Sequence, residues 1–217
     1  MNPTPTTPTP GLMIDLLDRK IRQMHEALGS LAAGDLSSIK PERSLTQNHF
    51  YCMIDFSAGK SDAELSNMAT LLVANIACLK DHLKVWCQTN NKAFEGDKII
   101  DSDRCVALVH DLWNIDKHAE LTRPPRSGHH PRIRGLRQTL NLITGTTTGS
   151  GAMITFDPYT GQMTTRTLGG ASVKLVVSGE VVDAGGNLLG DLAEICEKAT
   201  TAWEQALTQA GVPIPTR

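Results

Sequence analysis

The stretch Asp111-Leu112-Trp113-Asn114-Ile115-Asp116-Lys117-His118 crowds an amide, an ammonium and an imidazole into the end of one helical pattern. His110, Asn114, Lys117 and His118 follow one another at helical spacing and so share one side of that helix. Imidazole is the usual group for proton transfer near neutral pH, and a lysine beside it holds an anion. A second helical pattern carries Asn75, Asp81 and His82 along one edge. There the Asp81 carboxylate would orient the His82 ring. If the two helices pack antiparallel, the polar edges meet, and the candidate catalytic set is His82, Asp81, His118, Asn114 and Lys117. A structural role competes with this one: Asn114 and His118 would satisfy buried backbone or cap a helix end, where cations favour the negative terminus.

The segment "RPPRSGHHPRIRGLR" follows directly, with Arg123, Arg126, Arg132, Arg134 and Arg137 and no acid. Guanidinium groups clustered in this way bind phosphate or carboxylate in bidentate fashion, so the five form a candidate anion site. The competing reading is a solvated loop whose charge is balanced by acids elsewhere. His129 and His130 have no carboxylate or cysteine at ligand spacing, so no metal is expected, and nothing calls for a cofactor. "DAGGNLLGD" and "GKSD" lack the residues of a phosphate loop and read as turns. Neither Gly-x-Ser-x-Gly nor His-Glu-x-x-His occurs.

Composition bounds these readings. The 217 residues are 40% hydrophobic and 20% charged, with a formal net charge of -2, as in an ordinary globular chain. Aromatics at 4% argue against a surface built to stack bases, and the balanced charge confines any nucleic-acid contact to a local patch. The five cysteines form no Cys-x-x-Cys pair and mostly sit among apolar neighbours. No basic-then-apolar leader and no long apolar run is present, so the chain is expected in the cytoplasm with no membrane contact.

The elements that must position these groups follow from periodicity. Residues 1–10 alternate Thr and Pro and read as a disordered tail. Apolar steps predict a helix over 12–33, a loop over 35–48 and a strand over 49–57. Ser61 and Glu64 form a capping box opening a helix over 62–88, with Leu65, Met68, Leu72, Ile76, Leu79, Leu83 and Trp86 as its seam. Asn90, Asn91 and Gly96 break it before a helix over 102–120, with Leu112 and Ile115 in the core. Residues 122–135 read as loop and 133–143 as a short helix or strand. A hairpin turns at 157–161, and further turns are expected at Ser178-Gly179 and at 185–187. A helix closes the chain from Asp191 to Ala210. The order is α+β: a helical core over 11–122, the Arg-rich loop over 123–137, then a small antiparallel sheet and the last helix over 150–210, read as one domain from 11 to 217.

The segments "ANIACLKDHL" (74–83) and "LWNIDKHAEL" (112–121) resemble helical bacterial proteins of the HEPN superfamily. Their matching segments run His-Asn-Leu-Arg-Ser-x-Leu-Asp-His-Leu and Leu-x-Asn-x-x-Lys-His. The resemblance covers about residues 62–122. It implies a HEPN-like helical core and an RNA- or nucleotide-directed protein of bacterial or phage defence or toxin–antitoxin type. It also implies a homodimer paired through the helical seams. Ribonucleases of that superfamily use an Arg, four to six intervening residues, then His; here the Arg position is Ala77. A guanidinium that would grip the scissile phosphate is absent there. Arg–His pairs at similar spacing recur at Arg19/His25, Arg43/His49, Arg104/His110 and Arg123 with His129 or His130, too often for spacing alone to select one. The residues leave open whether the chain is an enzyme, and a non-catalytic interaction or structural module stands as the alternative.

Overall fold

A computed structural model describes residues 10–28, 36, 39, 41–45, 50–57, 59–118, 123–143, 147–157 and 159–214. The expected Thr/Pro tail, apart from Pro10, lies outside the described residues, as do 29–33 of the first predicted helix and Ala119 and Glu120. The fold mixes helices with small antiparallel sheets and ends in a long helix. The helices are α1 (Pro10–Ala27), α2 (Asp62–Ala77), α3 (Leu79–Thr89), α4 (Gly96–Ser102), α5 (Arg104–His118) and α6 (Leu192–Ala210). The strands are β1 (Glu42–Leu45), β2 (Phe50–Met53), β3 (Arg132–Ile143), β4 (Gly151–Phe156), β5 (Met163–Leu168), β6 (Ser172–Val182) and β7 (Leu188–Asp191).

By contact the chain divides into two compact units. The first comprises Met1–Leu28, Thr70–Arg134 and Glu180–Arg217. In it α1 packs on α3, while α5 packs on α6 and α4 on both. Its core holds Ile21 and Met24 of α1, Leu79 and Leu83 of α3, Leu108 of α5, and Leu192, Trp203 and Leu207 of α6, all buried. Asp191 caps α6 by accepting from the amides of Ala193 (2.9 Å) and Glu194 (3.3 Å). Gly211, at φ +82°, ends it in the left-handed turn that a side chain disfavours.

The second unit comprises Gly29–Ala69 and Gly135–Gly179. β1 pairs antiparallel with β2, and β4 with β5, Met153 facing Arg166 and Ile154 facing Thr165. Leu36, Ile39, Met163 and Leu175 make its core, with Ile54, Phe56, Leu140 and Phe156 packed against them. In the first unit, β7 runs antiparallel to residues 180–182 of β6.

Several boundaries depart from the periodicity. The 62–88 pattern is two helices, because the chain breaks step at Cys78. There the Asp81 amide reaches the Cys78 carbonyl at 3.1 Å in a tighter turn, and the His82 amide reaches the same oxygen at 3.3 Å. The 102–120 helix starts instead at Arg104, where Asp103 is extended (φ -110°, ψ 117°) and its carboxylate accepts from the Val106 amide at 2.9 Å. The breaker segment before it holds the short α4. The predicted 35–48 loop contains β1, which pairs antiparallel with β2, inside the predicted 49–57 strand. No turn forms at Ser178-Gly179: both are buried inside continuous β6, whose valines on either side outweigh the local turn propensity.

Candidate functional site

The first unit gathers part of the predicted set around the break between α2 and α3. Asn75 stands on the last turns of α2, Cys78 at the break and His82 one turn beyond it, with Asp81 exposed beside it. From α1, the Lys20 ammonium reaches the Asn75 side-chain oxygen at 3.5 Å. Burial pushes the Cys78 thiol up, against the pull of Lys20 and Lys117. Burial likewise holds the His82 imidazole below its ordinary value; Lys20 and Arg19 add to this and Asp81 opposes it. His82 is therefore neutral at neutral pH and free to accept a proton. The cluster is Lys20, Asn75, Cys78, Asp81 and His82, drawn from α1 and the α2–α3 break, with the charge of Lys117 from α5 felt at Cys78.

The other members of the predicted set are not drawn in. Asn114 does not reach the 62–88 segment or the loop after it; its amide nitrogen lies 3.0 Å from His110 Nδ1, one turn back on its own helix. His118 is exposed, and among the described residues no hydrogen bond or ion pair joins it to Asp81. Leu112 is in the core, as its spacing predicts, but Ile115 is half-buried, because the buried face of α5 runs through Val106, Ala107, Leu108, Val109, Asp111 and Leu112.

The arginine cluster is divided. Arg132, Arg134 and Arg137 lie on β3 rather than in a loop. Arg126 donates to Asp101 at 3.1 Å and to Asp97 at 2.8 Å, and Asp97 also takes Lys80 at 2.8 Å. Its guanidinium is thereby committed to the molecule's own acids. Arg134 pairs with Glu180 at 2.7 Å, and Arg137 donates to the Gly135 carbonyl at 3.3 Å. Arg123 and Arg132 are exposed, which leaves them facing solvent rather than forming one pocket with Arg126.

Asp111 is the residue that sequence reasoning underrated. Only 2% exposed, it accepts from the Arg126 amide (3.1 Å), the Ser127 amide (2.8 Å) and the Ser127 hydroxyl (2.7 Å). Burial pushes its carboxyl up, but hydrogen bonds from His110, Ser127 and Arg126 together outweigh that and hold it below the ordinary carboxylate value. It fastens the turn after α5 back onto the helix. Lys20 and Cys78 were also missed: Lys20 lies more than fifty residues from its partners, and Cys78 looks like one more apolar step of the seam.

Among the described residues, no three His, Cys, Asp or Glu side chains gather where a metal ion could sit. None of the described helices is long and apolar enough to cross a membrane. Comparisons of the chain with protein-family models, curated proteins and solved structures find no match.

Proposed function

We propose that this is an HEPN-like, RNA-directed protein that holds a phosphate at the Lys20, His82 and Lys117 edge of its first unit. One observation carries the reading. Lys20 of α1 reaches Asn75 at 3.5 Å beside the α2–α3 break, and the Lys117 charge of α5 is felt at Cys78, bringing positive charge to a place where this chain has Ala77 instead of the motif's Arg. Two ammonium groups would neutralise a phosphate there, and neutral His82 would take the proton of a ribose 2′-hydroxyl. Lysine is a point charge without the planar fork that grips phosphate oxygens in pairs, so the arrangement favours binding over rapid cleavage. The defence or toxin–antitoxin setting rests on the sequence resemblance alone.

The second reading, a non-catalytic interaction module, is favoured by the internal commitment of Asp111 and Arg126. The test is fluorescence anisotropy with a labelled single-stranded RNA, alongside gel analysis of total RNA, for wild type, Lys20→Ala, Lys117→Ala and His82→Ala. Each lysine variant is expected to bind more weakly and to reduce the salt slope by about 1. Cleavage present in wild type and lost in His82→Ala would make the site catalytic. Wild type that neither binds nor cuts RNA ends the RNA-directed reading in favour of the interaction module.

A further inference from the structure

At the far end of α3 from Cys78, the first unit encloses a cavity of about 340 Å³ between the last turns of α3, the α3–α4 connection, α4 and the end of α6. Its apolar wall is formed by Leu83, Ile99, Ala206 and Ala210. The volume is at the lower end of the roughly 300–1,000 Å³ usual for small-molecule sites. Three charged side chains line it: Lys92, Glu95 and Lys98. Glu95 and Lys98 neutralise each other at 2.6 Å. Lys92 has no ion-pair partner among the described residues, so the lining carries one uncompensated positive charge.

The position of Lys92 is built in by the way α3 ends. Asn91 takes a left-handed conformation (φ +53°), the Lys92 amide donates to the Cys87 carbonyl at 2.8 Å, and the Asn91 amide reaches the Gln88 carbonyl at 3.4 Å. This is the double closure that reverses the chain over a helix's last turn, and it fixes the residue after the left-handed one. The Lys92 charge is accordingly felt at the buried Cys87 thiol, which also lines the cavity.

An apolar wall with a single unpaired cation selects a ligand with an apolar body and one negative end. We propose that this cavity is a binding site for a small amphipathic monocarboxylate, its acyl chain against Leu83, Ile99, Ala206 and Ala210 and its carboxylate on Lys92. Nothing in this site depends on the phosphate edge, and its test does not involve RNA.

Octanoate is the probe, titrated by calorimetry into the full chain, with 1-octanol (the same body without charge) and inorganic phosphate (charge without a body) as controls. Saturable octanoate binding is expected, with octanol weaker by about tenfold and phosphate not binding. Lys92→Gln, at an exposed position, should weaken octanoate by about tenfold and leave octanol unchanged. Ala206→Phe and Ala210→Phe, each checked for fold by circular dichroism, should exclude both ligands. Amide shifts in the wild-type protein locate the ligand even where a filled variant fails to fold, and they should centre on residues 83–102 and 206–210. The proposal is overturned by absence of saturable octanoate binding, by a Lys92→Gln protein that binds octanoate as wild type does, or by amide shifts centred elsewhere.

Discussion

Asp111 shows how far a single residue can be read from its neighbours in sequence. Its helix was legible, and so was the burial of Leu112 beside it. Its partners were not, because Arg126 and Ser127 lie a loop away and a carboxylate at a helix surface looks like solvated charge. Asp111→Ala would strand three donors, two backbone and one hydroxyl, in a buried place. We expect a loss of about 3 kcal/mol by urea denaturation, since each bond to a charged acceptor contributes about 1.5–3 kcal/mol before relaxation. A loss below about 0.5 kcal/mol would put Asp111 among ordinary surface residues. The pH dependence follows from the direction of its shift. A carboxyl held below its unfolded value, near 3.9, stabilises the fold fully above about pH 4 and loses that contribution as pH falls through the folded value. Acid unfolding of Asp111→Asn should therefore be shallower than that of wild type in that window. His82 behaves in the opposite sense. Its imidazole is depressed, so the unfolded chain takes up the proton first and stability declines as pH drops below about 6.5. Its ring resonances should titrate below that value in free protein and move upward when RNA binds, because a phosphate would offset Lys20. A midpoint at or above the ordinary histidine value would contradict the burial and charge seen around it.

At the scale of elements, legibility depended on how local the determining contacts are. The Ser61 to Glu64 capping box was read from four residues and is present: the Glu64 carboxylate accepts from the Ser61 amide and hydroxyl, each at 2.8 Å, and the Glu64 amide donates back to the Ser61 hydroxyl at 3.3 Å. Ser61→Ala is expected to cost about 1 kcal/mol in thermal or urea unfolding, the usual value of a helix N-cap. An unchanged midpoint would show that α2 is held at that end by packing alone. The same local logic failed where tertiary context decides. Ser178-Gly179 has the chemistry of a turn, but Val176, Val177, Val181 and Val182 are buried and keep β6 running through it. The break at Cys78 left no trace in the apolar spacing, since Ile76 and Leu79 stay buried on either side of it. That break matters for the candidate site, because the turns flanking Cys78, rather than a regular helix face, meet Lys20, and Cys78 also feels the charge of Lys117. The arginine segment failed in another way. Charge density was legible, but the acids that neutralise Arg126 come from α4, a helix the breaker residues concealed.

For the whole molecule, the seam expected to pair two copies is largely buried within one chain. Of that seam, Leu65, Leu72, Ile76, Leu79, Leu83 and Trp86 are each at most 7% exposed, and Met68 is half-buried. Most of the seam is packed in the fold of one chain. The first unit is assembled from three separated stretches of chain, and the last of them, Glu180–Arg217, supplies β7 and α6. α6 places Leu192, Ile195, Cys196, Ala199, Trp203 and Leu207 in the core and packs on both α4 and α5. Truncating a single buried aromatic such as Trp203 typically costs about 3–5 kcal/mol, a large share of the 5–15 kcal/mol that holds a domain together. Removing the whole helix removes several such side chains and uncovers α5, so the shortened first unit cannot retain a cooperative core. A chain ending at Gly179 is accordingly expected to lose the sigmoidal thermal transition of the first unit, followed through the fluorescence of Trp86 and Trp113. Trp203→Ala, which keeps the helix, should retain the transition at a lower midpoint. A cooperative transition of wild-type midpoint in the chain ending at Gly179 would show that α1, α3, α4 and α5 form a self-sufficient bundle and that α6 is an accessory to it.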